Sequence, residues 1–333
     1  MESGVKDMHT QFIQTLEKNY ANVFNYTGGH PNLRLIAALA AQYTFAGRLY
    51  SGVEHQAMMD KMESEDPLFR VFRSCRKNIG LYYKMAAYLL LQGSMEERAL
   101  KVEEKDALLG EHGFAHSPYR VISAFFLEDK AHAGRAKRLY DEMNRLHPIL
   151  TRKSDIPLAV LVTARGDENI PLHARTMNDY FEALRKRGFK AGDSLQTLTQ
   201  ILTMYDIHFH MELAEYVTQL KIELENKGIH IKKLHYPFIG ILALSAADLQ
   251  VVGDVALLEG LLRETTVLRR VKELALIVAI QKLVRDHAEI QEAIDTTSAI
   301  HWEEILEMGD FFLSFPSGIP DGLSDLLGVD LNF

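Results

Sequence analysis

The stretch that decides the fold is ILTRKSDIPLAVLVTA at residues 149–164, because its apolar pattern returns in FKAGDSLQTLTQILTM at 189–204 and in IHIKKLHYPFIGILAL at 229–244. Within each copy, apolar side chains recur at spacings of three and four, which is the period of one helical face. Across the copies they keep an offset of 40 residues: Leu158, Leu198 and Phe238; Leu161, Ile201 and Ile241; Val162, Leu202 and Leu242. The pattern predicts a helix that recurs with this period.

A second helix is predicted upstream of each copy by the residues that end it. Basic side chains at Arg185–Arg187 and Lys227 suit a helix C-terminus, where the backbone carries partial negative charge. Gly188 and Gly228 follow directly, and glycine there adopts the left-handed conformation that terminates a helix. Pro157 suits the first turn of the next helix. Two helices per unit predict an all-α fold of stacked helical hairpins, α-solenoid-like; the alternative is a compact helical bundle with accidental periodicity.

Three regions follow from the repeat and from the distribution of charge. Residues 1–93 form a helical N-terminal region without a clear period, residues 94–285 form the helical-hairpin repeats, and residues 286–333 form an acidic C-terminal helix and tail. Ser94 followed by Glu97 is a capping-box sequence, which predicts a helix start. The last region holds eleven of the 45 acidic side chains and none of the 37 basic ones, so the overall charge of −8 comes from it and the rest of the chain carries +3.

Composition excludes several classes of protein. The single cysteine, Cys75, rules out an intramolecular disulfide, and the N-terminus lacks a basic segment followed by an apolar run. No apolar stretch reaches the ~20 residues needed to cross a bilayer. P-loop, dinucleotide-binding, zinc-protease and nucleophile-elbow motifs are absent from the sequence. We therefore expect a soluble, cytoplasmic protein that acts without a cofactor and without catalytic residues.

Three motifs punctuate the helices: Leu146-His147-Pro148, Asp155-Ile156-Pro157-Leu158 and His235-Tyr236-Pro237-Phe238. Through these motifs, the stretch from Tyr119 to Leu244 resembles a bacterial family of helical proteins that is catalogued only as a domain of unknown function. The motifs are turn and helix-start sequences and not a chemical signature. The resemblance implies an all-helical bacterial protein and brings no activity with it.

Basic side chains at the ends of the first helices would align along one edge of stacked hairpins and form a stripe able to bind an acidic peptide. The candidate binding residues are Arg138, Tyr140, Arg185, Arg187 and Lys190. The helix dipole alone also explains basic residues at these positions, which leaves solvated helix faces as the alternative. Aromatic side chains are not interleaved along the stripe, so we do not expect a nucleic acid partner.

His208 and His210 are the candidate metal ligands, with Asp206 as a neighbouring oxygen donor. In an extended segment alternate side chains point the same way, so both imidazoles would face one ion. His112 and His116 offer a second pair with a metal-like spacing. Two ligands do not by themselves define a site, and surface histidines are the alternative for both pairs.

The sequence as a whole predicts a non-catalytic helical-repeat module that binds a protein or peptide, because stacked hairpins offer an extended surface. The identity of the partner and the oligomeric state are left open. The acidic tail is expected to dock on the body and either regulate binding or cap the last repeat, with Leu326, Leu327 and Phe333 as its contacts. Two alternatives are a metal-dependent helical enzyme that uses a histidine pair and a peptide-sensing regulatory protein.

Overall fold

Helices form all the regular structure in the described part of the chain, which confirms the predicted all-α class. The computed structural model describes residues 2–29, 32–91, 94–164, 166, 169–245 and 248–294. The predicted tail contacts at Leu326, Leu327 and Phe333 lie outside these ranges. The α-helices are α1 (Glu2–Tyr26), α2 (Leu33–Phe45), α3 (Gly52–Glu63), α4 (Ile79–Leu91), α5 (Met95–Glu111), α6 (Pro118–Phe126), α7 (Lys130–Leu146), α8 (Ile156–Val162), α9 (Ile170–Lys186), α10 (Asp193–Leu202), α11 (Met211–Asn226), α12 (Tyr236–Ser245), α13 (Val251–Glu264) and α14 (Glu273–Ile294). Three 3₁₀ helices span Pro67–Lys77, Lys153–Asp155 and Lys233–His235.

Successive α-helices pair into hairpins that share two layers. The even-numbered helices form an inner layer, in which α8, α10 and α12 contact one another in order, and α7, α9 and α11 lie outside them. Every residue of α8 and α10 is buried. The outer helix α11 buries only one stripe, formed by Ala214, Val217, Leu220 and Leu224. Spacings of three and four give an outer helix one apolar face, whereas α8 is apolar on all sides and therefore lies between its neighbours. Helix α10 is buried although it also carries polar side chains, at Asp193, Ser194, Gln196, Thr197, Thr199 and Gln200.

Glycine ends the outer helices in the predicted way. Gly188 follows α9 with φ 90°, and Gly228 follows α11 with φ 83°. The backbone N–H of Phe189 then donates to the carbonyl of Leu184 at 3.1 Å, which folds the chain back over the last turn of α9. The predicted helix start after Ser94 is also confirmed, although the Ser94 hydroxyl makes no capping hydrogen bond.

The first and last hairpins contact each other, so the stack closes on itself. Helix α2 contacts α14, and Arg34 of α2 forms an ion pair with Glu273 at the start of α14. Arg285 of α14 lies over the ring of Phe45, 4.1 Å from its centroid. The seven hairpins of the described residues therefore form a closed hairpin ring, in which the 3₁₀ helix Pro67–Lys77 bridges α4 and α6. An open α-solenoid, in contrast, contacts only sequential neighbours.

The helix starts do not keep one period in both layers. The outer helices α7, α9 and α11 begin at residues 130, 170 and 211, whereas the inner helices α8, α10 and α12 begin at residues 156, 193 and 236. The α-solenoid-like periodicity therefore stays a prediction. Within the described ranges, no helix combines a membrane-spanning length with the apolar character that spanning requires.

Candidate functional site

Two of the predicted binding residues are engaged in ion pairs on the outer layer. Arg185, in the last turn of α9, lies 2.8 Å from the carboxylate of Glu182, and Arg187, just after this helix, lies 3.4 Å from that of Glu215. Surface pairs of this kind contribute about 0–1 kcal/mol each. They nevertheless neutralise the positive charge that the sequence assigns to this end of α9.

The other predicted residues differ in their exposure. Arg138 on α7 and Lys190 after α9 are exposed, whereas Tyr140 is half-buried and packs edge-on against Phe114, with ring centroids 5.6 Å apart. The backbone N–H of Lys190 donates to the hydroxyl of Tyr236 at 3.2 Å, which ties this loop to α12. Arg138 and Lys190 lie on different hairpins, and the basic stripe stays a prediction.

His208 and His210 share the carboxylate of Asp206. Oδ1 of Asp206 lies 3.1 Å from Nδ1 of His208, and Oδ2 lies 2.9 Å from Nε2 of His210. The backbone N–H of His208 and hydrogen bonds from the two imidazoles lower the pKa of Asp206 to about 2. No group of three or more His, Cys, Asp or Glu residues in the described ranges is placed to hold a metal ion. The metal-binding role of this pair also stays a prediction.

A groove of about 780 Å³ lies between α1 and α3, next to the loop that joins α2 to α3. This α1–α3 groove has the volume that is typical of ligand sites. Apolar atoms come from Val53 and Ala57. The functional groups of its lining are the phenols of Tyr26 and Tyr50, the carboxamides of Asn22, Asn25 and Gln56, and the carboxylate of Asp60.

Hydrogen bonds from α1 hold the loop beside the α1–α3 groove. Oδ1 of Asn19 accepts from the backbone N–H of Tyr50 at 2.8 Å, and Nδ2 of Asn19 donates to the carbonyl of Arg48 at 3.0 Å. One turn later, Nδ2 of Asn22 donates to the carbonyl of Tyr50 at 3.3 Å. The hydroxyl of Ser51 then caps the first turn of α3. Two asparagines of α1 thus fix the position at which α3 begins.

Gly52 allows the ring of Tyr26 to lie directly on the backbone of α3. A Cβ atom at this position would be 2.3 Å from Cδ2 of Tyr26, well inside van der Waals contact. The Tyr26 hydroxyl donates to Oε1 of Gln56, and Nε2 of Gln56 donates to the carboxylate of Asp60 at 2.7 Å. A phenol, a carboxamide and a carboxylate therefore form one chain of hydrogen bonds along the groove, which orients Asp60.

His55 is fully buried among tyrosines behind the α1–α3 groove. Its Nδ1 atom is hydrogen-bonded to the hydroxyl of Tyr43 at 3.3 Å, and its ring lies 5.3 Å from that of Tyr50 and 5.5 Å from that of Tyr83. Burial lowers the pKa of His55 to about 4, so the imidazole is neutral at pH 7. Burial also raises the pKa of Tyr43 and that of Tyr50.

Two buried polar atoms of this cluster make no hydrogen bond within the described part of the chain. They are Nε2 of His55 and the hydroxyl of Tyr50. Buried polar atoms without a partner are rare in folded proteins, and each requires an explanation. Their position next to an open groove marks this region as the candidate functional site.

The fold and the groove define an all-helical protein whose paired helices close into a ring. Within that class, the chain belongs to the family described as "Protein of unknown function (DUF4003)", whose family model matches residues 34–310. The match confirms the resemblance to a helical family without an assigned activity. No curated protein and no solved structure matches the chain.

None of the residues predicted from the sequence lies in the α1–α3 groove, because the groove lies within residues 1–93, where the sequence shows no clear repeat. The amino-acid composition of this part of the chain does point to a binding site, because it is rich in tyrosine. Seven of the 13 tyrosines lie between Tyr20 and Tyr88. Tyrosine is enriched among the residues that dominate binding energy at interfaces.

Proposed function

We propose that this protein acts by binding, and that the α1–α3 groove holds a peptide segment with a basic side chain. The observation that carries the proposal is the set of groups in the groove: two phenol rings, three carboxamides and Asp60, the one charged side chain among the described lining residues. An ammonium or guanidinium group is attracted both by the faces of aromatic rings and by a carboxylate. Carboxamides donate to and accept from the peptide backbone.

The surroundings of the groove favour a peptide over an isolated ion. A volume of about 780 Å³ is many times the ~30 Å³ that one water molecule occupies in the liquid. Leu49, in the loop before α3, and Val53, in the first turn of α3 and in the groove lining, are 57% and 83% exposed. A bound segment would cover both of these apolar side chains.

The α1–α3 groove carries negative charge at Asp60, whereas the stripe predicted from the sequence is positively charged. An acidic peptide on the stripe would compete with Glu182 and Glu215, which already contact Arg185 and Arg187. A basic side chain in the α1–α3 groove meets no such competition, since Asp60 receives only a neutral carboxamide donor there. The geometry therefore favours a basic partner segment.

A cytoplasmic location is part of this proposal. Cys75 is a free, buried thiol, and burial raises its pKa to about 12. A chain without disulfides suits a reducing compartment.

Fluorescence polarisation with labelled hexapeptides tests the binding proposal. Each peptide carries a central lysine or arginine, and its matched partners carry glutamine or glutamate at that position. We expect the basic peptides to bind at least about tenfold more tightly than the glutamine peptides, a difference of ~1.4 kcal/mol. Asp60→Asn and Tyr26→Leu should each remove most of this preference.

Asp141→Asn is the matched control, because Asp141 is an exposed acid on the outer helix α7, far from the groove in sequence. It should leave the affinities unchanged. Equal binding of lysine and glutamate peptides would refute the proposal, as would basic peptides that bind Asp60→Asn and the unaltered protein equally well.

A further inference from the structure

A second cavity, of about 210 Å³, lies between α13, the start of α14 and the segment that leads into α12. The volume of this α13–α14 cavity is about a quarter of that of the α1–α3 groove. That is smaller than a typical drug-sized pocket, so its ligand must be small. Ile229 and Leu276, both buried, give the cavity an apolar wall.

Glu259 forms a negative wall of the α13–α14 cavity, beside Arg263, which also lines the cavity. Its side chain is only 7% exposed, and burial raises its pKa although Arg263 lowers it. Nη1 of Arg263, at 3.5 Å from Oε1, is the one cation within ion-pair distance of Glu259 in the described ranges. A buried carboxylate is stabilised by further hydrogen-bond donors, and this one faces the cavity.

Lys232 and Lys272 form a positive wall. Lys272 is exposed and directly precedes α14, and it has no acid within ion-pair distance among the residues that the structure describes. Lys232 lies 4.0 Å from Glu273, but Glu273 already pairs with Arg34. The N-terminal end of α14 adds partial positive charge on the same side.

His235 fixes the relative position of the segment before α12 and the start of α14. Its Nδ1 atom accepts from the backbone N–H of Lys232 at 3.0 Å, and its Nε2 atom donates to the carbonyl of Glu273 at 2.9 Å. Both ring nitrogens are thus engaged, and burial lowers the pKa of His235 to about 4. The two lysines of the positive wall therefore lie on a rigid frame.

We propose that the α13–α14 cavity binds a small apolar α-amino acid. The carboxylate of the amino acid contacts Lys272 and Lys232, and its ammonium group donates to Glu259. Its side chain packs against Ile229 and Leu276. A simple anion would bring no hydrogen-bond donor to Glu259, and a simple amine would bring no negative charge to Lys272. A zwitterion supplies both, because its ammonium group faces Glu259 and its carboxylate faces the lysines.

Isothermal titration calorimetry with L-alanine, propionate and ethylamine tests the proposal, because the last two probes each lack one of alanine's charged groups. We expect saturable heat with L-alanine and at least tenfold weaker binding of propionate and of ethylamine. Glu259→Gln and Lys272→Gln should each weaken L-alanine binding at least tenfold. Lys101→Gln, which removes an exposed lysine of α5, should leave it unchanged.

The melting temperature of each variant separates loss of binding from loss of folding. If Glu259→Gln is unstable, Lys272→Gln still tests the proposal. Lys272 is exposed, so its substitution should weaken binding without unfolding the protein. Propionate that binds as tightly as L-alanine would show an anion site instead. Absence of saturable binding of L-alanine up to 50 mM, on the order of the weakest affinities that calorimetry follows, would also overturn the proposal.

Discussion

At the scale of single residues, Asp155 holds the start of α8 and is also a buried carboxyl group with a shifted pKa. Its Oδ2 atom accepts from the backbone N–H of Arg152 at 2.8 Å, and its Oδ1 atom accepts from Gln196 at 3.2 Å and from Gln200 at 3.0 Å. Burial raises the pKa of Asp155 to about 6, against an ordinary value of 3.8, even though these hydrogen bonds favour the charged form. His235 makes the equivalent backbone contact before α12 with a neutral ring.

We expect Asp155→Asn to change how stability depends on pH. The folded chain holds the Asp155 proton to a higher pH than the unfolded chain, so this group destabilises the unaltered protein as the pH rises from about 4 through about 6. The shift of roughly 2 pK units corresponds to about 3 kcal/mol. Asn keeps an acceptor for Arg152, and its amide group can donate to Gln196 and Gln200 when their carboxamides turn over, because the oxygens of both have no other partner.

Urea unfolding at pH 4, 5, 6 and 7 measures the effect. Relative to the unaltered protein, the free energy of unfolding of Asp155→Asn should rise across this range and then level off. Parallel pH profiles for the two proteins would show that Asp155 ionises as an ordinary carboxyl group.

At the scale of helices, α10 and α12 approach closely because α12 carries Gly240 on the face that meets α10. A Cβ atom at this position would be 2.5 Å from Cδ1 of Leu198 and 3.5 Å from Cγ2 of Ile201. Leu198 and Ile201 belong to the apolar columns of the 40-residue pattern. The close approach of α10 and α12 therefore depends on a small residue at Gly240. The 40-residue pattern indicates that the surrounding positions are apolar, but it does not indicate that this position must be small.

Gly240→Ala should destabilise the protein by about 1–3 kcal/mol, because the added methyl group forces neighbouring side chains out of place. Gly260→Ala is the control, since a Cβ atom there meets nothing within 4 Å and α13 gains a better helix former. It should be neutral or stabilise by up to about 1 kcal/mol. Chemical denaturation of both variants provides the comparison, and equal effects of the two substitutions would contradict the close packing at Gly240.

Features that depend on neighbours in the sequence were predictable, and those that depend on distant partners were not. The glycine caps at Gly188 and Gly228 follow from local backbone chemistry. The pairing of Arg187 with Glu215 on another helix does not, and it removes the free charge expected there. The α1–α3 groove depends likewise on Asn19, whose carboxamide reaches a loop about 30 residues further along the chain.

At the scale of the whole molecule, closure of the hairpin ring makes the first hairpin a neighbour of the last. The backbone N–H and the hydroxyl of Thr266 both donate to Oε1 of Glu17, at 3.3 and 3.2 Å. Phe45 stacks on Phe12, with ring centroids 5.6 Å apart, and lies under Arg285. Nothing in a local 40-residue pattern specifies these contacts, because they join its two ends.

Phe45→Ala should loosen α14, although the substitution lies in α2. Loss of the ring removes apolar contacts and the contact between this ring and the guanidinium of Arg285, and we expect about 2 kcal/mol of destabilisation, below the 3–5 typical of a fully buried phenylalanine. Hydrogen exchange followed by mass spectrometry should show faster exchange across 273–288. Ile149→Ala, at an exposed position, should change neither α2 nor α14. Unchanged exchange in α14 of Phe45→Ala would indicate an open stack in solution.

The ion pair between Arg34 and Glu273 joins the two ends of the hairpin ring, and we expect it to form late in folding. These residues are 239 positions apart, and their contact forms only after the hairpins between them have assembled with the right curvature. Local hairpins form early because they close short loops, so the joining of α2 to α14 comes last. Before that step we expect an open stack in which the apolar faces of the inner helices at both ends are uncovered. We therefore expect the rate of this closure to govern how long aggregation-prone surface persists during folding.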